Sequence, residues 1–379
     1  MLLCHTLRVG VLRQRFRLQR SLQEQLEFRG ALARMARLEW SETEDIKEWD
    51  DFVIQNNGSI YHSWSWRGVL ETTGARPLYL VSRDRSGRTI AVCPFFCEKA
   101  SRHFSILESL PLSHMAGPII APQVTDISEI LESLPRSVRS PLLEPIVAME
   151  INVLHQSLVR SLTNSGFNCE ANQGLFVLDL VEKKPEDIWN REFEKHDRQA
   201  VNYYEEQGAS FGFAHLDNEF EDYFALHQDS IIRKNRKPLI QPEFLSKMRV
   251  NMGEQLKVAV VKFDNELIGG FSVLCDRRNS TVHFSIIGYS RTKNMHSPVI
   301  YLNWRALKWA AENGFRYVNF GLTKSAYSSA VYRTKKKFGG EFVPSYKFTL
   351  PISKISYILA SKIGRVLRVA RGSVRSEVG

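Results

Sequence analysis

The chain has 379 residues and a hydrophobic content of 43%, which is ordinary for globular protein and sufficient for two cores of common size. Its formal net charge is +10, and the excess lies at the two ends. Residues 1–38 hold eight arginines against two glutamates, and residues 352–379 hold six basic groups against one glutamate, so the body between them is nearly neutral. A neutral body argues against a broad phosphate-binding face on the fold.

The cysteines and the apolar runs bear on the cellular compartment of the protein. The five cysteines are scattered, without the spacing of a disulfide framework or a zinc site, and this favours a reducing environment. No run reaches the roughly eighteen apolar residues of a membrane-spanning helix, and Met1–Gly10 lacks the features of a signal peptide. We expect a cytoplasmic protein, with peripheral contact at the inner face of the membrane as a further option.

The two basic ends differ in pattern. Residues 1–38 have no alternating apolar face, and we expect them to be a disordered or spurious extension, with the true start at Met35. Residues 352–379 place apolar side chains at helical spacing with basic ones around them, which predicts a basic amphipathic helix. Such a helix either packs on the neighbouring domain or contacts anionic lipid.

Residues 39–181 form the first predicted domain. A capping-box pattern at Ser41–Glu44 predicts a helix through Trp49 and Val53, and a second helix ends at Gly74. The later predicted elements are strands at 78–82 and 89–97, a strand at 146–151, a helix at 153–164 and a strand at 175–180.

Residues 182–351 repeat this order and form the second predicted domain. The predicted elements are helices at 185–207 and 219–232, strands at 256–263, 267–275 and 281–289, a helix from Ser297-Pro298 to Gly314, and a strand at 316–320. The repetition predicts a duplicated α/β (α+β) fold, each half a mixed, mostly antiparallel sheet flanked by helices.

Several common site types are missing from the sequence. It contains no P-loop, no G-x-G-x-x-G, no H-E-x-x-H and no G-x-S-x-G, which removes support for phosphoryl transfer, zinc proteolysis and serine hydrolysis. The histidines show no paired metal spacing, so we expect no metal. His62, His196 and His283 are interpreted as structural residues.

The run from His283 to Gly340 is the most informative part of the chain. The strand that ends at Tyr289 leads to a helix whose start, Ser297-Pro298, exposes backbone N–H groups suited to a pyrophosphate or a tRNA-end phosphate. Most helix starts bind only water or a cap, so this remains one of two interpretations. The strand ending in Asn319-Phe320-Gly321 is followed by a polar loop and by Thr334-Lys335-Lys336-Lys337-Phe338-Gly339.

At these residues the sequence resembles the FemABX-like branch of the GNAT acyltransferase superfamily, in particular its FemAB-related proteins of exopolysaccharide and exosortase systems. That family carries a strand ending in Asp-Phe-Gly, a polar loop and a Phe-Lys-x-x-Trp/Phe-Gly signature. The resemblance extends over about residues 39–368 and implies two tandem GNAT-like domains. Three further segments match: Arg198 to Gly208, His62 to Trp66, and Ser109-Leu110-Pro111 with Gly117-Pro118.

The sequence departs from the family at four positions. Asn202 and Glu206 replace basic residues of the helix motif, and Leu322-Thr323 stands where Arg-Ser is usual. These departures concern contacts with the donor and the acceptor more than the fold.

The resemblance implies roles for individual residues. Lys335 matches the family lysine that steadies developing negative charge, and Tyr332 and Tyr289 are candidates to relay a proton from the amine. We expect donor contacts from Ser297, Tyr289, Phe320, Gly321 and Lys336. We expect acceptor contacts from Tyr61, Trp64, Trp66, Arg67 and Arg198, although aromatic residues at this spacing are more often core.

The expected reaction is transfer of an acyl or aminoacyl group to an amine of a cell-envelope precursor, such as a peptidoglycan or polysaccharide intermediate, small or lipid-linked. The donor would be acyl-CoA or aminoacyl-tRNA. One alternative is a CoA-dependent N-acetyltransferase acting on an amino sugar, against which Thr292–Pro298 lacks the usual acetyl-CoA loop pattern. Another is a non-catalytic GNAT-fold binding protein, which the departures at Asn202 and Leu322 favour.

Overall fold

The structure of the protein is a computed structural model. It describes residues 39–99, 104–113, 115–138, 146–154, 156–236, 238, 240–291, 296–326 and 329–352. The predicted N-terminal extension lies outside these residues, and so does the predicted C-terminal helix apart from its first position. Among the described helices, none is long and apolar enough to cross a membrane.

The first half alternates strands with short helices. Its strands are β1 (Trp40–Glu42), β2 (Arg76–Arg83), β3 (Thr89–Lys99), β4 (Ser105–Glu108), β5 (Ile119–Ile120), β6 (Ile146–Val153) and β7 (Asn168–Asp179). Its helices are α1 (Ile46–Gln55), α2 (Trp64–Leu70), α3 (Ile127–Ser137) and α4 (Gln156–Asn164). The first helix begins later than predicted, because Asp45 caps Glu48 N while Ser41 lies in β1.

The second half opens with a short helical segment, Pro185–Asp187, which continues as a π-helical turn, Ile188–Glu192. Its helices are α5 (Lys195–Glu206), α6 (Asp217–Ile232), α7 (Pro242–Met252), α8 (Pro298–Glu312) and α9 (Ala330–Lys336). Its strands are β8 (Ser210–Phe213), β9 (Leu256–Phe263), β10 (Glu266–Asp276), β11 (Thr281–Tyr289), β12 (Tyr317–Lys324) and β13 (Glu341–Pro351). The single helix predicted at 185–207 is therefore two pieces separated at Phe193.

The described strands form one 13-stranded sheet in the order β1-β2-β3-β4-β6-β13-β7-β12-β11-β10-β9-β8, with β5 paired to β3. Two neighbouring pairs, β4–β6 and β11–β12, are parallel, and the others are antiparallel. The predicted fold class is thereby confirmed.

Helices cover both faces of the second half of the sheet. Successive residues of a strand point to opposite faces. In β9, Val258 and Val260 pack with α2, α6 and α7, whereas Ala259 and Val261 pack with α5 and α8. We call these the α6 face and the α8 face.

The last strands of the two halves are exchanged at the centre of the sheet. β7 is the last strand of the first half but pairs with β12, and β13 is the last strand of the second half but pairs with β6. β7 and β13 also pair with each other. The sheet is thus continuous across the predicted boundary at 181/182, and the division into two domains stays a prediction.

Candidate active site

A gap between β11 and β12 defines the candidate site. The two strands are paired only at their beginnings, from Thr281–Tyr317 to His283–Asn319, and then separate. Each strand bulges just beyond the last pair. β11 shifts register against β10 between Ser285 and Gly288, and β12 shifts against β7 between Asn319 and Leu322.

The bulges place two residues in left-handed backbone conformations. Gly321 has φ +82°, which glycine adopts without strain. Ile286 has φ +49°, which is unfavourable for a β-branched side chain and is kept only where surrounding contacts impose it. The contact at Ile286 is from α6, where the hydroxyl of Tyr223 donates to its carbonyl oxygen.

A buried polar pair closes the inner end of the gap. Gly321 N donates to Asn319 Oδ1 at 2.8 Å, which leaves Asn319 Nδ2 to donate to His283 Nδ1 at 3.1 Å. His283 therefore accepts at Nδ1 and carries its proton on Nε2. Complete burial lowers the pKa of His283 to about 3, so the ring is neutral.

Lys335 reaches the gap from α9. Its Nζ donates to the carbonyl oxygen of Leu322 at 2.8 Å. Ser325 N donates to Asn172 O on β7, so Leu322, three residues earlier on the strand, directs its carbonyl to the opposite side, where β11 has moved away. Burial lowers the pKa of Lys335 to about 7, and among the described residues no carboxylate lies within ion-pair distance of it.

Contacts on both sides of Lys335 hold α9 in place. Ser329 caps its first turn, and beyond its end Phe338 stacks on Phe320 at 5.6 Å in the core of the α8 face. Lys337 Nζ donates to Asp197 Oδ1 of α5 at 2.9 Å, and this carboxylate is almost completely buried. The ammonium of Lys335 is thus positioned by a helix fixed at each end.

Of the residues predicted to contact the donor, Ser297 and Tyr289 lie at the open end of the gap, Phe320 and Gly321 lie near its inner end, and Lys336 is outside it. Pro298, next to the helix cap Ser297, is 3.6 Å from where a Cβ on Gly269 would be, and Gly269 pairs with Tyr289 at the end of β11. Phe320 and Gly321 form the bulge of β12. Lys336 is exposed on α9.

The predicted proton-relay tyrosines are held differently. The backbone of Tyr289 is hydrogen-bonded to Ser230 Oγ, at 3.0 Å for its N–H and 3.1 Å for its carbonyl. Tyr332 lies on α9 against Phe176 and Phe342, with ring centroids 4.8 and 5.6 Å apart. Tyr332 therefore shares the helix and the face of Lys335, whereas Tyr289 is tied to α6.

The residues predicted to contact the acceptor lie at three separate places instead of one. Tyr61 packs edge-on against His283 with ring centroids 5.0 Å apart, so it reaches the inner end of the gap from the α6 face. Trp66 packs behind Tyr61 and donates from Nε1 to Ser113 Oγ at 2.8 Å. Both side chains are buried in the core that joins the two halves.

Trp64 and Arg67 line a separate pocket of about 440 Å³ beside α1, α2 and α7. The guanidinium of Arg67 lies over the Trp64 ring at 4.4 Å and pairs with Glu44 and Glu71. Arg198 lies on α5, on the opposite face of the sheet, and donates to the carbonyls of Trp189 and Phe193. The predicted acceptor roles of these residues remain predictions.

In the described part of the chain, one cluster has ligand atoms close enough together to hold a metal ion. Glu194, His196 and Asp197 bring one ligand atom each within 4.8 Å of one another. The ammonium of Lys337 already lies 2.9 Å from Asp197 Oδ1 and 2.8 Å from His196 Nε2. A positive charge is therefore present at the position a cation would need.

Sequence reasoning missed part of the site. His283, expected to be structural, also forms the inner end of the gap with Asn319. The two residues meet because the strands that carry them pair in parallel, and no local sequence pattern joins them. Asp197 and Lys337 are 140 residues apart in the chain, and no local pattern joins them. The sequence singles out Thr323 only because it departs from the family pattern.

Comparison with known proteins identifies one domain and the overall fold. Residues 191–329 match the family described as an acetyltransferase (GNAT) domain. Among proteins with curated functions, none matches this chain. Solved structures match the fold at low identity.

The crystal structure of FemX is 13% identical, covers 85% of this chain and 99% of its own, and gives a TM-score of 0.65. The C-terminal domain of a putative lysylphosphatidylglycerol synthetase from Agrobacterium fabrum is 13% identical, with coverage of 89% and 100% and a TM-score of 0.55. A tandem GNAT protein from the clavulanic acid biosynthesis pathway is 11% identical, with coverage of 83% and 99% and a TM-score of 0.55.

Residues 191–329 are therefore a GNAT acetyltransferase domain. The chain as a whole has the fold of FemX and of the tandem GNAT protein, in agreement with the fold that the sequence resemblance implies.

Proposed function

We propose that the protein transfers an aminoacyl or acyl group to an amine of a cell-envelope precursor, with the reaction in the gap between β11 and β12. The observation that carries the proposal is the ammonium of Lys335, buried in that gap on the carbonyl of Leu322. A buried ammonium without a carboxylate is costly, and such groups are concentrated at functional sites.

The chemistry follows from the donor. The amine nitrogen attacks the carbonyl carbon of a thioester or ester, the carbon–nitrogen bond forms, and the carbonyl π electrons move to oxygen. The C–S or C–O bond then breaks, the leaving group takes a proton, and the amine loses one. Lys335 would stabilise the intermediate oxyanion, and positioning of the two substrates would supply most of the remaining acceleration.

The donor is proposed to enter at the open end of the gap, beside Tyr289 and the start of α8. The N-terminus of that helix would bind a phosphate of CoA or of the tRNA end. The name of the lysylphosphatidylglycerol synthetase neighbour denotes an aminoacylated membrane lipid, and this supports an envelope substrate.

Donor and acceptor are tested by a matrix of transfer assays. The donors are acetyl-CoA, alanyl-tRNA and lysyl-tRNA, and the acceptors are a lipid-linked peptidoglycan precursor with a free side-chain amine, and glucosamine. Product is measured by mass spectrometry. We expect transfer from an aminoacyl-tRNA to the lipid-linked precursor.

Two other results would replace this proposal. Acetylation of glucosamine, with a melting-temperature increase on adding acetyl-CoA, would indicate an amino-sugar N-acetyltransferase. Absence of transfer from every donor, with unchanged binding of the precursor in Lys335→Met, would indicate a binding protein. Lys47→Met is the matched control, because it removes an exposed lysine of the first half, away from the gap.

A further inference from the structure

Thr323 is a buried hydroxyl that the fold does not use. Its side chain is 8% exposed, and its Oγ1 has no hydrogen-bond partner among the residues that the structure describes. Leaving a buried hydroxyl unpaired is destabilising, and such a group in a native structure calls for an explanation.

The sheet register shows which way Thr323 points. It lies opposite Gly174 of β7, and directly opposed residues of an antiparallel pair share a face. The space above Gly174 is filled by Phe342, whose ring would be 2.5 Å from an added Cβ. Phe342 packs on Tyr332 of α9, so Thr323 points to the side of the sheet that α9 covers.

The same side carries Lys335. Its ammonium has three N–H groups, and Leu322 O, the carbonyl directly preceding Thr323, is its one hydrogen-bond partner in the described part of the chain. Lys335 therefore has N–H groups to spare, and Thr323 has an unused hydroxyl. Both residues belong to the same side of the sheet, and the carbonyl that Lys335 contacts directly precedes Thr323.

We infer that Thr323 is a further catalytic residue, whose hydroxyl donates with Lys335 to the carbonyl oxygen of the donor group. This inference rests on the proposed function and deepens it. As the amine bonds to the carbonyl carbon, the oxygen gains the π electron pair, and two donors stabilise it better than one. When the leaving group departs, the pair returns and both hydrogen bonds weaken.

The test compares Thr323→Val, which keeps the shape and removes the hydroxyl, with Thr323→Ser, which keeps the hydroxyl. In single-turnover transfer with the donor that the matrix identifies, we expect Thr323→Val to lower the rate roughly 10- to 100-fold with little change in KM. Thr323→Ser should retain the rate within about threefold. Equal losses in both variants, or no loss in Thr323→Val, would overturn the inference.

Ser82→Ala is the matched control. Ser82 on β2 is also a buried hydroxyl without a hydrogen-bond partner in the described residues, but it lies in the first half, away from the gap. We expect its removal to leave the rate unchanged. Urea unfolding should show that Thr323→Val is at least as stable as wild type, because no hydrogen bond is lost.

A measurement without substrate separates this inference from the proposed function. The titration of Lys335 is followed by NMR of ¹³C-lysine-labelled protein, with the resonance assigned through Lys335→Met. Replacing the Thr323 hydroxyl by a methyl group makes this side of the sheet less polar and disfavours a charged Lys335, so Thr323→Val should raise the deprotonation constant of Lys335 at least about threefold. If wild type transfers nothing, an unchanged constant in Thr323→Val overturns the inference by itself.

Discussion

The two parallel strand pairs of the sheet have the same topology but different endings. In the first half, β4 pairs with β6 over its whole length, and Ser109 N extends the pairing to Glu150 O. In the second half, β11 and β12 part after three residues. One parallel pair is closed and the other is open.

The helices that follow these two strand pairs also differ in the side chains they bury. α4, after β6, buries Leu158 and Leu162, whereas α9, after β12, buries Lys335. Glu150, a buried carboxylate of β6, has a cation, since Nζ of Lys347 on β13 lies 2.8 Å away. The difference teaches that the fold alone does not make the gap. The first parallel pair stays closed, whereas the second separates and lies beside a buried ammonium that has no carboxylate within ion-pair distance among the described residues.

The largest expected effect is on transfer activity and comes from removing the buried ammonium of Lys335, which has no counterpart among the described residues of the first half. Lys335→Met should lower acyl transfer roughly 10²- to 10³-fold, because the oxyanion loses its cation. The unfolding free energy should stay equal or increase, since a buried charge becomes apolar. Single-turnover kinetics and urea unfolding measure the two, and a variant that retains wild-type transfer would show the assignment of Lys335 to be wrong.

The titration of Lys335 gives the next effect. Its pKa is about 7 in the folded chain and ordinarily 10.5, so between these values the unfolded chain holds a proton that the folded chain has released. From this residue, stability rises as pH increases from about 7 toward 10.5, while activity that needs the ammonium falls up to tenfold per pH unit above about 7.

Urea unfolding of wild type and Lys335→Met, at pH values below and above 7, isolates this contribution. The wild type should gain stability relative to the variant as pH rises. A constant difference would contradict a buried, titrating Lys335.

The ion pair that anchors α9 comes third. Lys337→Met should cost about 3 kcal/mol of unfolding free energy, because it leaves the carboxylate of Asp197 buried without its lysine. Asp197→Asn should cost less, about 2 kcal/mol, since Lys337 is partly exposed. The double variant should lose less than the sum of the two.

Lys47→Met is the control for this pair. Lys47 pairs with Asp51 on the surface of the first half, and we expect no measurable change in stability. Additive losses at Asp197 and Lys337 would show that the two residues do not act together.

The smallest effect concerns the inner end of the gap. Asn319→Ala removes the hydrogen bonds to His283 and to Gly321 N and should cost about 1–2 kcal/mol in thermal or urea unfolding. Asn313→Ala, which removes an exposed side-chain bond at the end of α8, should cost less. An equal cost at both positions would argue against a special role for the His283–Asn319 pair.

The sequence predicted elements whose signals are local. Ser297 at the cap, Pro298 at the first turn and Gly314 after the end mark α8, and the structure places that helix at Pro298–Glu312. The strands predicted at 256–263 and 267–275 correspond to β9 and β10, which form an antiparallel hairpin whose turn holds Asp264 and Asn265 at positive φ. Such signals operate within a few residues, so one sequence suffices to read them.

The site was harder to predict because its contacts are distant. A run of lysines at 335–337 suggests a solvated face, but helix periodicity sends three consecutive side chains in different directions. Lys335 turns inward, Lys336 outward, and Lys337 toward Asp197. Only the resemblance singled out Lys335, and no pattern predicted the exchange of β7 and β13.

That exchange determines when the site can exist. β13 pairs with β6 and β7, and the Lys347–Glu150 contact spans 197 residues of chain. Contacts so distant in sequence close large loops and form slowly. During synthesis β6 and β7 remain without their shared partner β13 until residue 351 has left the ribosome. The centre of the sheet, and with it both halves, is therefore completed only when the last strand pairs.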